Sequence, residues 1–443
     1  MRVVIVGAGE VGSNIAASLA GSHEVVVIDR DHDRVEALTY ELDVLPVEGD
    51  GSALETLREA GVETADMVIA CTDDDETNIV ACGTVQTISE AFTIARVRTS
   101  KYLDTWDHSE GALGVDLMVG TNLLAAGSIV RVVGLPAAED VDSFSNGLVR
   151  MAEFPIDEDS PVTGKSVAEA DTFDSLTFAA IIRDGEVVIP DGDTCLLDGD
   201  DLVVIGSPES VSGFATTIAP GVEDVSDVVI FGGSDIGRET AELVASKGVT
   251  PRLIEQDPER AREVAESLPG VTVLQNDPTD REFLTREHIA DVDVAVASLQ
   301  RDEQNLLTAL LAKRLGVDRV IAVVEDGGYT DLFEEVGIDV AVNPRETIAE
   351  EITRFTHEKH AENVAMIEHD RAEVLEIEVD ADSVLVGRPI RESIADLPEG
   401  VVIGAITRAE SFVVPRGDTV IREGDHIVVF ASEEIVEETM NHI

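Results

Sequence analysis

The feature that most constrains this chain is its own duplication. Residues 3–134 match residues 228–357 at an offset of about 225, and self-similarity at a fixed spacing means that one structural unit is built twice. Val3-Val4-Ile5-Val6-Gly7 aligns with Val228-Val229-Ile230-Phe231-Gly232, Val27-Ile28-Asp29 with Leu253-Ile254-Glu255, and Asp75-Glu76-Thr77-Asn78 with Asp302-Glu303-Gln304-Asn305. A smaller unit follows each copy. Ile189-Pro190-Asp191-Gly192-Asp193-Thr194 aligns with Val414-Pro415-Arg416-Gly417-Asp418-Thr419, and the run from Asp198 to Val204 with the run from Arg422 to Val428. The order is large, small, large, small, which predicts domains at 1–135, 142–222, 226–357 and 366–443.

Each large unit alternates short apolar runs with amphipathic segments. In the first copy the strands read 2–6, 24–28, 44–48, 67–71 and 93–97, and helical spacing fills 12–20, 33–42, 53–60 and 78–89. Strands alternating with helices predict an α/β fold: two Rossmann-like, doubly wound parallel sheets. The small units, with short strands around Gly-Asp turns and one short helix after Gly164, read as α+β modules. Linkers are expected near 136–147, 220–226 and 357–371.

Composition excludes several classes. The chain has 90 acidic and 31 Lys+Arg residues, a formal charge of −59. Such a surface repels phosphate backbones and anionic lipid, so nucleic acid is not an expected partner. The acid is spread along the chain, only five of the basic residues are lysine, and aromatics are 4%. That is a surface built for molar salt, where the Debye length is about 3 Å, and it points to an extreme halophile of haloarchaeal type. Hydrophobic residues at 44% are ordinary for globular domains. No stretch of about 20 residues is uncharged, and Met1-Arg2 runs directly into a strand, so a cytoplasmic protein is predicted. Cys71, Cys82 and Cys195 form no CxxC pair.

The chemistry concentrates in Gly7-Ala8-Gly9-Glu10-Val11-Gly12, a G-x-G-x-x-G that follows a strand and opens a helix, with Asp29 at the end of the next strand. In this setting Gly7 permits the tight turn, Gly9 lets backbone approach a pyrophosphate, and Gly12 lets helix pack on strand. The helix N-terminus offers amides and partial positive charge to the phosphates. Asp29 can accept both ribose hydroxyls, favouring NAD(H) or ATP/ADP, while the adjacent Arg30 keeps NADP open. Topology brings Asp50, Thr72 and Asp73 to the same crevice, after the third and fourth strands. Arg96 and Arg98 close the fifth, as phosphate ligands for this subunit or a partner, or as a surface ion pair. In the second copy the turn reads Gly232-Gly233-Ser234-Asp235-Ile236-Gly237, Glu255 keeps the acid, and Val323 and Glu325 replace the arginines. Gly232, Gly237 and Glu255 are therefore secondary candidates at a degenerate site. No catalytic constellation or metal motif appears. Asp73-Asp74-Asp75-Glu76 reads as a helix cap and solvated face, and His357, His360 and His369 as linker histidines. The apolar stripe of residues 122–133 suits either a helix packed on a partner or an ordinary intrachain helix.

Taken together, the GAGEVG turn, VVVIDRD, VEGDGS, ACTDDDETN and IARVR segments, each large unit followed by a module with I-P-x-G-D-T and G-D-x-L-V-V, resemble the TrkA family. These are the peripheral subunits of Trk-type potassium uptake systems, built from RCK (or KTN) N- and C-terminal domains. The resemblance covers essentially the whole chain. It implies a non-enzymatic regulator at the inner face of the membrane that binds NAD(H) or adenine nucleotides, assembles into a dimer or tetrameric ring, and gates a TrkH-like potassium transporter. A regulator of another cation transporter or an antiporter, or an NAD-dependent oxidoreductase, stay open as alternatives.

Overall fold

The computed structural model describes residues 1–443 apart from 22, 109–111, 136, 159, 184, 221–224, 358–362, 368–371, 382, 399, 410 and 433–434. The chain divides into two compact units, residues 1–130 with 226–353 and residues 131–225 with 354–443. The large copies therefore pack on each other in one unit and the small modules in the other.

In chain order, β1 (Arg2–Val6), β2 (Glu24–Asp29), β3 (Leu45–Glu48), β4 (Met67–Ala70), β5 (Phe92–Val97) and β6 (Leu117–Gly120) form a parallel sheet of order 3-2-1-4-5-6. The first small module contributes β7 (Asp140–Phe144), β8 (Val149–Ile156), β9 (Leu176–Arg183), β10 (Glu186–Val188) and β11 (Asp200–Gly206), an antiparallel sheet of order 10-9-11-8-7. Next come β12 (Val228–Phe231), β13 (Arg252–Glu255), β14 (Thr272–Gln275), β15 (Val294–Ala297), β16 (Arg319–Val323) and β17 (Val340–Val342), which repeat the first order as 14-13-12-15-16-17. The chain ends with β18 (Asn363–Ile367), β19 (Ala372–Glu378), β20 (Val402–Arg408), β21 (Ser411–Val413) and β22 (His426–Ser432), in the order 18-19-22-20-21.

The parallel sheets are covered by helices, so their central strands are apolar on both faces. Val3, Val4 and Ile5 in β1, and Val228 to Phe231 in β12, are fully buried. Each such side chain contributes about 1.5–3 kcal/mol. In both sheets the strand order reverses beside the first strand, between β1 and β4 and between β12 and β15. At that point the crossover helices diverge to opposite faces and leave a crevice at the carboxyl ends of the strands.

The five strands expected in the first copy match β1–β5 to within a residue or so. β6 is an added short edge strand. The fourth helix runs Asp75–Gln86, three residues earlier than the apolar spacing suggests, because the Asp74 carboxylate caps it and accepts from the Thr77 amide at 2.7 Å. The segment 136–147, read as a linker, contains β7. The helix Thr121–Val133 buries Ala125, Ala126, Ile129, Val130 and Val133 within this chain, leaving Leu123 exposed, so the intrachain alternative holds for most of its stripe.

The two small modules share a core in which Phe144, Met151 and Val203 meet Val374, Val428 and Phe430. Ser145 adds a polar tie, its amide and hydroxyl donating to Glu376 at 2.9 and 2.6 Å. The structure also corrects the pairing of the two modules' Gly-Asp turns by one residue. Gly199 corresponds to Gly424, both at positive φ (82° and 76°), and Asp200 to Asp425. Each of these buried aspartates takes a two-bond fork from an arginine, Arg183 at 2.6 and 2.7 Å and Arg408 at 2.7 and 2.6 Å.

Candidate functional site

At the first switch point the glycine turn is built by steric necessity. Gly7 has φ +112°, a conformation that L side chains rarely adopt. Its amide donates to the Ile28 carbonyl at 2.8 Å, tying the turn to β2. A Cβ on Gly12 would lie 1.9 Å from the Gly7 carbonyl oxygen, so only glycine lets the helix Glu10–Ala20 start this close to the strand. Gly9 differs: a Cβ there would meet only the Arg34 guanidinium, at 3.5 Å. The space beside Gly9 is open, as needed where a ligand approaches.

These elements frame a cavity of about 700 Å³ lined by Gly7, Ala8, Gly9, Glu10, Val11, Asp29, Arg30, Asp50, Thr72 and Asp73. Those ten residues line one space, and Gly12 lies outside its lining. Asp29 Oδ2 accepts from the Ala8 amide at 2.6 Å and Oδ1 from the Asp31 amide at 2.9 Å, so this carboxylate braces the turn. Ser52 donates to Asp50 through hydroxyl (2.7 Å) and amide (2.9 Å), which holds the Asp50 carboxyl below its ordinary value. Cys71 lies in the wall, its thiol pushed up to about 12 by burial, and is no nucleophile at neutral pH.

Two organising groups were not singled out from sequence. Asn78, fully buried, accepts from the Thr72 amide (2.9 Å) and hydroxyl (2.6 Å) and donates to the Thr72 and Arg96 carbonyls (3.0 and 2.9 Å). It locks the loop after β4 to β5. Asn305 repeats this clamp between Leu299 and Val323. The signal was the aligned DETN and DEQN runs. Asp75 is likewise not solvated: it is buried and accepts from the Arg98 and Thr99 amides, both at 3.0 Å. Asp73 pairs with Arg98 at 2.7 Å and Arg96 at 3.6 Å.

The second missed residue is Arg345, from the other copy. It begins the helix Pro344–His357, lines the first cavity, and reaches Glu10 of the glycine turn at 2.5 Å. Burial works against its charge, but the hydrogen bond and charge of Glu10 outweigh it and raise its value. Glu10 also accepts from the Gly327 amide at 3.1 Å.

The reciprocal exchange occurs at the second turn. A separate cavity of about 390 Å³ is lined by Gly233 and Ser234 and, from the first copy, Arg96 and Arg98. The second cleft thus regains the arginines its own β16 lacks. Arg98 lies at this cavity and not at the first; Arg96 lies at both. Gly232 (φ +106°) and Gly237 build the turn as Gly7 and Gly12 do, the Gly237 Cβ position being 2.3 Å from the Gly232 carbonyl. Neither lines the cavity, and nor does Glu255, whose two oxygens are occupied by the Gly233 and Asp257 amides at 2.7 Å. Ser234 Oγ takes the Gly237 amide (3.1 Å), supplying from its own side chain an acceptor at the helix start.

Among the described residues no group of His, Cys, Asp or Glu is arranged to hold a metal. His360, His369 and the His357 side chain lie outside the described residues. Among the described residues no helix is long and apolar enough to cross a membrane.

A doubled Rossmann unit whose turns are completed by residues from the opposite copy, each unit followed by an antiparallel module, defines a tandem RCK-type protein. TrkA-N domain models match residues 3–119 and 228–344 and TrkA-C domain models match 151–218 and 374–443, and the chain belongs to the TrkA family. It is 36% identical over 439 residues to a Trk system potassium uptake protein TrkA homolog of Methanosarcina mazei, covering 97% of both chains. It is 37% identical to the Archaeoglobus fulgidus homolog, covering 99% of this chain and 98% of that one. The Azorhizobium caulinodans protein TrkA is 33% identical over 97% and 96%. Among solved structures, the fold resembles the GsuK channel bound to NAD (TM-score 0.62, 19% identity, all of this chain and 78% of that one) and the GsuK RCK domain (0.61, 19%, 99% and 95%).

Proposed function

We propose that this chain is the nucleotide-sensing regulatory subunit of a Trk-type potassium uptake system. It binds NAD(H) or ATP/ADP in the first Rossmann cleft and gates a TrkH-like membrane potassium transporter, to which it is peripheral. One observation carries the reading: the glycine turn, the helix N-terminus and Asp29 surround one cavity, and Arg345 of the opposite copy enters it. The full-length potassium uptake relatives support the transport role.

The cleft's lining side chains include no histidine, lysine or tyrosine among the described residues, and its thiol is held protonated. The output is then conformational. Phosphates arriving at the turn compete with Glu10 for Arg345, so occupancy is felt across the contact between the two copies. A ligand that binds one arrangement of the copies more tightly shifts their population by that difference, and self-association into a dimer or ring transmits the shift to the transporter. The test is melting and light scattering of the full chain in molar KCl with ATP, ADP, NADH or no addition. At least one nucleotide should raise the melting temperature and alter the scattering; identical behaviour in all four conditions would defeat the proposal.

A further inference from the structure

Thr72 stands in the loop after β4, partly buried, on the wall of the first cavity. A threonine hydroxyl can donate one hydrogen bond and accept two, so what it offers a ligand depends on where its proton goes. Asn78 decides this. Its Nδ2 donates to two main-chain carbonyls, those of Thr72 at 3.0 Å and Arg96 at 2.9 Å, which fixes the amide and turns Oδ1 toward Thr72. Oδ1 has no proton to give, so the 2.6 Å contact between it and Thr72 Oγ1 is a donation by the hydroxyl. The other acceptor in reach of that proton, the Asp74 carbonyl at 3.2 Å, also belongs to the loop. The Asp74 amide in turn donates to Oγ1 at 3.3 Å and takes one lone pair. The hydroxyl can still accept from a ligand through its second lone pair, and it has no proton left to donate.

The second copy shows that the clamp itself does not need a hydroxyl. Asn305, as fully buried as Asn78, keeps the same amide orientation. It donates to the Leu299 and Val323 carbonyls at 3.2 and 2.8 Å and accepts the Leu299 amide at 2.6 Å, with leucine where the first copy has threonine. The loop therefore takes this form around an apolar side chain. The Thr72 hydroxyl is surplus to the local fold, and its remaining lone pair is available to the cavity.

A lone pair selects among the parts of a nucleotide. Phosphate oxygens are acceptors themselves and gain no hydrogen bond from it. The groups that match are the ribose hydroxyls and the amino group of the base. We infer that Thr72 Oγ1, its proton held by Asn78, is a specificity element of the first cleft: it accepts a hydrogen bond from a donor on the nucleoside part of the ligand and takes no part in holding phosphate. The inference deepens the nucleotide reading of this cleft and rests on it.

Calorimetric titration of the full chain in molar KCl tests it, with ADP, the moiety common to NAD(H), ATP and ADP. Three analogues each lack one donor: 2′-deoxy-ADP, 3′-deoxy-ADP and purine riboside diphosphate, which has no amino group. Thr72→Val keeps the shape and removes the acceptor, and the leucine of the second copy indicates that it folds. It should weaken ADP about fivefold, the net worth of one hydrogen bond, while Thr72→Ser binds as the parent does. One analogue should bind the parent more weakly than ADP by a similar factor and lose nothing further in Thr72→Val. Asn78→Ala, held at a temperature where it stays folded, frees the proton and should narrow the gap between ADP and that analogue; an equal loss for both would leave Asn78 a purely structural role. Unchanged ADP affinity in Thr72→Val, or a loss as large for all three analogues as for ADP, would overturn the assignment, the latter result placing the hydroxyl on phosphate. Absence of ADP binding by the folded parent would overturn the nucleotide reading beneath it.

Discussion

Gly9 and Gly12 belong to the same motif, yet the structure assigns them opposite sensitivities. At Gly12 an added Cβ would overlap the Gly7 carbonyl oxygen at 1.9 Å, with the Cys71 sulfur at 3.2 Å behind it. Relief requires the helix Glu10–Ala20 to move off β1 by more than 1 Å, by simple difference from ordinary contact distance. Overpacking of this kind costs about 1–3 kcal/mol, offset by less than about 1 kcal/mol from the better helix propensity of alanine. At Gly9 the backbone is extended (φ −78°, ψ −174°) and the nearest atom to an added Cβ is a mobile guanidinium nitrogen at 3.5 Å. Gly9→Ala therefore leaves stability within about 0.5 kcal/mol, or raises it slightly by restricting the unfolded chain. The methyl instead occupies space that a pyrophosphate bound as proposed would need. A comparable overpacking of about 1–3 kcal/mol now falls on the bound state, a five- to 150-fold loss of affinity. The assay is paired: urea unfolding and nucleotide titration calorimetry on both variants at constant KCl. Gly9→Ala should keep its unfolding midpoint and lose affinity; Gly12→Ala should lose both. Unchanged nucleotide affinity in Gly9→Ala would refute the placement of the phosphates on this turn.

Four further outcomes follow from contacts described above. Arg345→Ala removes the link to Glu10 between the copies and should lower stability by about 1–2 kcal/mol in urea, while reducing the melting shift produced by nucleotide; an undiminished shift would remove Arg345 from the sensing route. Asp425→Ala leaves the Arg408 guanidinium unpaired and should cost about 3 kcal/mol, the low end of the range for a buried pair because Arg408 reaches solvent. Burial raises the Asp425 carboxyl, but the Arg408 fork and Arg422 outweigh it and leave it below its ordinary value, so its contribution is full above about pH 4 and fades as acid titrates the folded form; unfolding of the variant between pH 5 and 2 should show a shallower acid limb than the parent. Native protein should expose one fast-reacting thiol, Cys195, and three after denaturation, since Cys71 and Cys82 are buried; rapid reaction of more than one would contradict the packing. Lowering KCl from about 1 M to about 0.1 M lengthens the Debye length from about 3 to 10 Å and should drop the melting temperature by about 10 °C or more through carboxylate repulsion, a shift absent if the acidic surface is not a salt adaptation.

The parts of this fold that were legible in sequence are those written locally. Apolar runs fixed β1 to β5, and the turn, its helix and Asp29 are held together by bonds that span neighbouring elements of one βαβ unit. What escaped was the pairing of the copies. Arg96 and Arg98 read as phosphate ligands for this subunit or a partner, or as a surface ion pair, and their replacement by Val323 and Glu325 read as the loss of phosphate cations from the second cleft. The second of these expectations treats a copy as self-contained, and the Arg98–Asp73 pair realises the ion-pair alternative. Packing one against the other moves Arg98 to the opposite turn and brings in Arg345, which has no local motif to announce it. Glu255 shows another case: it braces its turn through two backbone amides as Asp29 does, but it is buried and does not line the adjacent cavity. Asp75 failed for a similar reason, since among four consecutive carboxylates nothing in the residue order tells which one is pulled inside to cap the next loop.

Tying two like halves into a single polypeptide has a consequence for how such a molecule can change over evolutionary time. Two separate identical chains meeting face to face must accept every substitution twice, and must find each other at whatever concentration the cell supplies. Here the halves meet at a local concentration set by the intervening module, in the manner of any tethered pair, and a substitution lands on one side only. One copy was thus free to place Ser234 where its twin keeps Gly9, so that a single polypeptide carries two unlike turns.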